Sequence, residues 1–284
     1  MTMNARDYAL QANGSFALPD ACFKVKALMA DENSEISDFA DVIGIDPFMT
    51  TRLLQIANSS IYSFPGEIST ISRAITIIGT QAIYTMMLVD VAASAFKHFE
   101  NQAIDLKRFW RMSVFCGLAA KNIAFNAGVR DIERLFIAGL LQNFGELLVA
   151  KISPKVAQRC EQYDTSQLPW QLQTLTLGYN YTDISADLLK IWQIPEKIIL
   201  PIRHFNAASS IEINKDVKIL NLASRLALID SHSDQFTYEG VIDESFCKAL
   251  GLSVEHLTQA AEFAKKDATS ILSMMNPKLF SRVC

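Results

Sequence analysis

A chain of 284 residues, half of them hydrophobic and 20% charged, carries enough apolar side chains for one large core or two smaller ones, which excludes a disordered or fibrous polymer. Its formal net charge of −4 supplies no global positive field to gather phosphate backbones, so nucleic acid binding would need a local basic patch. The five cysteines, Cys22, Cys116, Cys160, Cys247 and Cys284, are odd in number, far apart and never in a C-x-x-C pair, a pattern of free thiols in a reducing compartment.

The opening "MTMNARDYALQANGSFALPD" has no uninterrupted apolar run after Arg6, so no secretory signal is expected and a cytoplasmic location follows. In "SEISDFADVIGI", Ile36, Phe39, Ala40 and Ile43 recur at three- and four-residue intervals, and Gly44 is a natural stop. Asp46 as N-cap and Pro47 as first helical residue begin a helix expected to reach about Asn58, with Met49, Leu53, Leu54 and Ala57 on one face. Pro65 and Gly66 interrupt the pattern before "ISRAITII" resumes it. The apolar stretch 74–96 approaches bilayer length, but Gly79, Thr80, Gln81 and Asp90 divide it into two core helices, the second from Thr80 to about Phe96.

The polar run "KHFENQAIDLKR" places a seam near residue 100, between an N-terminal helical lobe (1–100) and a second helical lobe (101–284). Beyond it Phe109, Met112, Ser113, Cys116, Ala119, Ala120 and Ile123 form a helical stripe. Asp131 is the expected cap of "IERLFIAGLLQNF", which should end at Gly145 and continue as "ELLVAKI". "TDISADLLKIW" and "PEKIILPIRHF" read as a helix pair joined through Pro195, and two further helical runs, the last from Ser253 to about Met275, complete the chain. No segment alternates with period two between turn signals, so the fold class is all-α: an irregular, two-lobed helical globule.

Motif searches for phosphate loops, dinucleotide fingerprints, zincin helices and nucleophile elbows find nothing. The histidines His98, His204, His232 and His256 are scattered, with no second imidazole at helical ligand spacing. As an ordered set, however, "IGIDPFMTTRLLQIANSSIYSFPGEISTISRAITIIGTQAI" (43–83), "FWRMSVFCGLAAKNIA" (109–124), "FIAGLLQNFGELLV" (136–149) and "LGYNYTDISADLLKIWQIP" (177–195) resemble the HDOD family of bacterial regulatory proteins. The shared elements are Asp46-Pro47, Leu53-Leu54, Asn58-Ser59, Gly79, Trp110 and the helix from Gly139 to Gly145, and the resemblance spans about residues 18–225. That family is in turn similar to the HD superfamily of metal-dependent phosphohydrolases, which implies an HD-like helical core in the second lobe.

Catalytic HD enzymes hold metal ions with histidines and aspartates from several helices. The resemblance places those ligand positions at Met112, at the pair Gln142 and Asn143, at Tyr181, near Arg203-His204 and at Ser224. A thioether, two amides and a phenol carry no full negative charge near neutral pH, so this pocket should hold a divalent cation poorly. No catalytic residue, metal ligand or cofactor is therefore expected. Gln142 and Asn143 either bond across neighbouring helices or face water at a helix end.

Three functions compete. The resemblance implies a bacterial signal-transduction or regulatory scaffold that binds a protein partner, with a small-molecule ligand in the vestigial pocket as an addition. A phosphohydrolase with an unorthodox site would draw on Tyr181, Asp183, Asp187 and His204, the two aspartates being four apart on one helical face. DNA binding is suggested by the helix-glycine-helix outline of "RAITIIGTQAIYTMML". Yet from Asp41 to Asp90 four acids (Asp41, Asp46, Glu67, Asp90) face two bases (Arg52, Arg73), a local net of −2, while Ile75, Ile78, Ile83 and Met87 read as a buried stripe. Neither nucleic acid nor a membrane is expected as a partner.

Overall fold

The computed structural model describes residues 3–13, 20–59, 62, 65–96, 103–206 and 214–275. His98 and Cys284 lie outside the described residues. Among those described, the secondary structure is helical, and β pairing is confined to one isolated bridge between Asp164 and Gln167. The fold class is all-α.

The chain divides into two compact units, residues 1–15 with 99–268 and residues 16–98 with 269–284. Helix α1 (Ala5–Asn13) belongs to the first. The second unit follows as α2 (Asp20–Ala30), α3 (Ile36–Gly44), α4 (Pro47–Ala57), α5 (Ile71–Ile78) and α6 (Thr80–Phe96). The chain then returns to the first unit with α7 (Leu106–Asn126), α8 (Glu133–Leu141), α9 (Phe144–Ile152), α10 (Pro154–Cys160) and α11 (Pro169–Leu177). It continues through α12 (Tyr181–Ile191), α13 (Glu196–Arg203), α14 (Lys215–Ser231), α15 (Tyr238–Val241), α16 (Glu244–Leu250) and α17 (Val254–Met275), whose residues from 269 onward count with the second unit.

In the unit of residues 16–98, local chemistry sets each helix end. The Asp46 carboxylate accepts from the Met49 amide at 3.2 Å while Pro47 opens α4, and Thr70 caps α5 by accepting from Arg73 N–H at 3.3 Å. Asn58 ties the end of α4 to the following loop: its side chain donates to the Leu54 and Ile68 carbonyls at 2.8 Å each and accepts from the Ile68 amide at 2.8 Å. That amide completes both backbone groups of Ile68, a buried residue outside any helix. Gly79, at φ +87°, ends α5, and α6 restarts at Thr80, so the apolar stretch is two helices with Ile75, Ile78, Ile83 and Met87 buried.

In the other unit, α7 is the central helix, packed by α8 and α14. Its Asp105 cap accepts from the amides of Lys107 and Arg108 at 2.8 and 3.1 Å, which fixes where the first turn points Arg108. The α7–α8 crossing is a backbone contact: a Cβ built on Gly139 would lie 2.7 Å from Gly117 Cα, and one on Gly117 would lie 2.8 Å from the Phe136 carbonyl oxygen. At the start of α9, a Cβ on Gly145 would stand 2.1 Å from the Tyr181 carbonyl oxygen. Ser185 locks the same junction, its hydroxyl accepting from Gly145 N–H at 2.8 Å and donating to the Tyr181 carbonyl at 2.9 Å. Trp110, fully buried, meets Phe144 edge-on at 6.0 Å and closes the core beneath it.

Two expectations are corrected here. The helix does not run through to Gly145; it breaks at Gln142 and Asn143, between α8 and α9. Asp131 does not cap α8, because Ile132 takes the N-cap position without a side-chain bond, and Asp131 instead pairs with Lys197 at 3.2 Å. The segment Glu133–Ile152 is long and apolar enough to cross a membrane by length and composition, with 83% of its most apolar window buried in the fold.

Candidate functional site

The break at Gln142-Asn143 opens onto a cavity of about 60 Å³ enclosed by α7, α9, α11, α12 and α14. Met112, Gln142, Asn143, Tyr181 and Ser224, which come from separate stretches of sequence, all line it. His204 does not. It is exposed at the C-terminal cap of α13, and its neighbours Phe205 and Asn206 form that wall.

The amide pair is engaged with neighbouring groups. Gln142, 8% exposed, donates its side-chain N–H to Ser224 Oγ on α14 at 3.1 Å and to Cys116 Sγ on α7 at 3.6 Å. One amide thereby links three helices at a break where backbone continuity is lost. The Asn143 amide donates to the Glu146 carboxylate. Met112 presents its side chain to an apolar cluster of Leu228, Phe236 and Val241, where an imidazole would be poorly solvated.

The charged centre of the cavity was not evident from the sequence. Arg108, one turn before Met112 on α7, places its Nη2 3.2 Å from Glu146 Oε1 and in ion-pair contact with Glu161. Its Nη1 reaches the Tyr163 hydroxyl at 3.4 Å, and that hydroxyl lies 3.2 Å from His232 Nε2. Burial, and then the nearby Glu161 carboxylate, push the Glu146 pKa up to about 8 against the opposing pull of Arg108 and Asn143. Burial likewise raises Glu161, with Arg108 opposing. Burial works to lower the Arg108 pKa, but the two carboxylates and Tyr163 outweigh it and hold the guanidinium charged. Burial and Arg108 lower His232, so this imidazole favours its neutral form. A hint existed: a charged residue stands four positions from two of the pocket residues, Arg108 from Met112 and Glu146 from Gln142. Glu161 and Tyr163 follow α10 with no periodic relation to either.

The donor set does not fit a divalent ion. Gln142 and Asn143 turn their N–H groups toward Ser224, Cys116 and Glu146, and the two carboxylates share a guanidinium. Among the described residues no three His, Cys, Asp or Glu side chains group so as to hold a metal. The pair Asp183 and Asp187 does not form the alternative site: Asp183 accepts from the Asn180 amide at 2.8 Å in a capping box, and Asp187 pairs with Arg203 at 2.7 Å.

The HDOD domain model matches residues 16–208. The chain belongs to the HDOD family. Among solved structures, an "HDOD domain protein with unknown function" from Geobacter sulfurreducens superposes with a TM-score of 0.67 at 19% identity, covering 97% of this chain and 98% of that one. A "Putative phosphohydrolase" from Shewanella amazonensis gives 0.67 at 23%, covering 96% and 98%. A "Putative signal transduction protein" from Marinobacter aquaeolei gives 0.68 at 21%, covering 94% of this chain and 60% of that one. A Treponema pallidum protein named "Uncharacterized protein" is 23% identical over 193 residues, 66% of this chain and 37% of its own length. This HDOD chain therefore spans little more than a third of that relative. At these identities the solved structures establish a shared fold, and the HDOD fold is a degenerate form of the HD one.

Proposed function

We propose that this HDOD chain is a non-catalytic regulatory scaffold of bacterial signal transduction that acts by binding a protein partner. The observation that carries this reading is the Arg108 guanidinium shared by Glu146 and Glu161 in the cavity lined by Met112, Gln142, Asn143, Tyr181 and Ser224. Where the family resemblance would put a divalent cation among histidines and aspartates, Arg108 supplies a tethered positive charge to Glu146 and Glu161, and the neighbouring amides hold helices together. A tethered guanidinium cannot lower the pKa of a bound water as a metal does, so the hydroxide that HD-type hydrolysis needs has no source. The name of the Marinobacter structure is consistent with signalling.

The reading is tested with the purified chain, p-nitrophenyl phosphate and bis(p-nitrophenyl) phosphate, with Mn²⁺ or Fe²⁺ added. Release of nitrophenol at the no-enzyme rate is expected. Metal-dependent turnover that disappears in Gln142→Ala would instead establish the second reading, a phosphohydrolase with an unorthodox site, to which the Shewanella neighbour's name points.

A further inference from the structure

The negative charge of the chain is concentrated in one stretch. From Asp20 to Asp46, seven acids (Asp20, Asp31, Glu32, Glu35, Asp38, Asp41, Asp46) stand against two bases (Lys24, Lys26), a local net of −5, whereas the whole chain carries −4. All other residues together sum to +1. The stretch of α2 and α3 alone is therefore set to attract a positively charged partner.

In that stretch α2 and α3 pack on each other and line an open groove of about 430 Å³. Ala27, Leu28 and Val42 form its apolar floor, and Lys24, Asp31, Asp38 and Asp41 its charged rim. Asp31 accepts from the Asn33 amide at 2.9 Å and Asp38 from the Glu35 amide at 2.8 Å, bonds that hold both carboxylates at the turn between the helices. Among the described residues, none of the three aspartates pairs with a lysine or an arginine. Large apolar side chains continue the same helices in water: Phe23, 57% exposed, stands one turn before Ala27, and Ile45, 77% exposed, follows Asp41 by four residues.

Shape and charge together narrow the occupant. Both walls are helices whose backbone groups bond internally, so no strand can add to them and recognition falls to side chains. Helix α2 has 11 residues, about 16 Å at 1.5 Å per residue, which is the length of about three turns of a helix laid alongside it. A nucleic acid or an anionic lipid surface would meet charge of its own sign. Building on the reading of the chain as a protein-binding scaffold, we propose that the α2–α3 groove docks a basic amphipathic helix of a partner protein, its aliphatic side chains over Ala27, Leu28 and Val42 and its lysines or arginines paired with Asp31, Asp38 and Asp41.

The test is fluorescence anisotropy of the full chain at pH 7.5 with a labelled peptide of about 14 residues, made of leucine and lysine with the leucines at i, i+3, i+4 and i+7. A dissociation constant on the order of 10 μM is expected at low salt, weakening as NaCl is added. The same composition in an order without an apolar face, and the same pattern with glutamate for lysine, should each bind at least about tenfold more weakly. Asp41→Lys should weaken the lysine peptide about tenfold, while Glu262→Lys, a reversal at an exposed position of α17 in the other unit, should leave it unchanged. Ala27→Glu separates docking from attraction. Ala27 is exposed on α2 and glutamate is a good helix former, so the variant should melt with the parent, and its added negative charge would tighten a contact made by charge alone. A side chain standing on the groove floor should instead weaken the peptide about tenfold. No binding, equal binding of the reordered peptide, or tighter binding to Ala27→Glu would overturn the proposal. So would a dimer of the chain that Asp41→Lys dissociates in sedimentation, which would put a second copy in the groove. Each of these results leaves the scaffold reading standing, whereas nitrophenol release in the preceding assay would overturn that reading without touching the groove.

Discussion

The helix crossings that frame the cavity and the cavity wall itself are built from the same helices but follow different constraints. At the crossings, backbone meets backbone: Gly117 against Gly139, and Gly145 against the Tyr181 carbonyl. A single added carbon has nowhere to go. On the wall, a residue type can change completely provided the new group finds a partner, as Gln142 finds Ser224 and Cys116, and Glu146 finds Arg108 and Asn143. Sterics fix the frame, whereas the wall asks that each polar group find a partner.

The largest effect should come from breaking the frame. In Gly145→Ala the new Cβ would sit 2.1 Å from the Tyr181 carbonyl oxygen and 2.9 Å from Ile184 Cβ, neither of which is the end of a flexible side chain. The α9–α12 junction must shift. A loss of about 3 kcal/mol or more in urea unfolding is expected, at the upper end for overpacking. A loss below about 1 kcal/mol would show that the crossing is plastic.

Removing the tethered charge should cost less. In Arg108→Met two carboxylates lose their shared cation; since Arg108 and Glu161 are each 20% exposed, about 2 kcal/mol at pH 8 is expected, below the cost of breaking a fully buried pair. pH sharpens this contrast. A folded-state pKa raised above the unfolded value means that the native chain binds the Glu146 proton more tightly, so this group's contribution to stability is complete below about pH 4.5 and declines as pH rises toward about 8. Thermal melting from pH 5 to pH 8 should fall more steeply for the parent than for Glu146→Gln, and parallel curves would contradict the assignment.

The smallest change is predicted in the other unit. Asn58→Ala leaves the buried Ile68 amide and carbonyl without the side chain that completes them, and about 1–2 kcal/mol should be lost. Asn58→Asp should restore the bond from the amide but not the one to the carbonyl, and fall between the two. Equal stability of all three would mean that water replaces the side chain.

How much of this could be read in advance follows from what kind of signal each feature leaves. Helix periodicity, the Asp46-Pro47 start and the Gly79 interruption are local, and they stand in the chain order itself. Part of the cavity lining was legible because an ordered motif carries spacing from segment to segment, so Met112, Gln142, Tyr181 and Ser224 could be named together although 112 residues separate the first from the last. The break at Gln142-Asn143 was not legible, because the apolar period runs straight through it and the Gln142 bonds that bridge it are tertiary. The resemblance placed His204 at the pocket, but it stands exposed at the cap position that ends α13. Arg108, Glu146 and Glu161 escaped notice because a charge does not reveal in sequence which partner neutralises it.

The proposed scaffold role rests on a cavity in which the Arg108 guanidinium is shared by the Glu146 and Glu161 carboxylates. Its most direct test is the metal content of the chain purified without chelators, measured by inductively coupled plasma mass spectrometry before and after dialysis against Mn²⁺, Fe²⁺ and Zn²⁺. The account predicts far less than one equivalent of any of them. One retained equivalent per chain, lost in Gln142→Ala or Glu146→Gln, would contradict it.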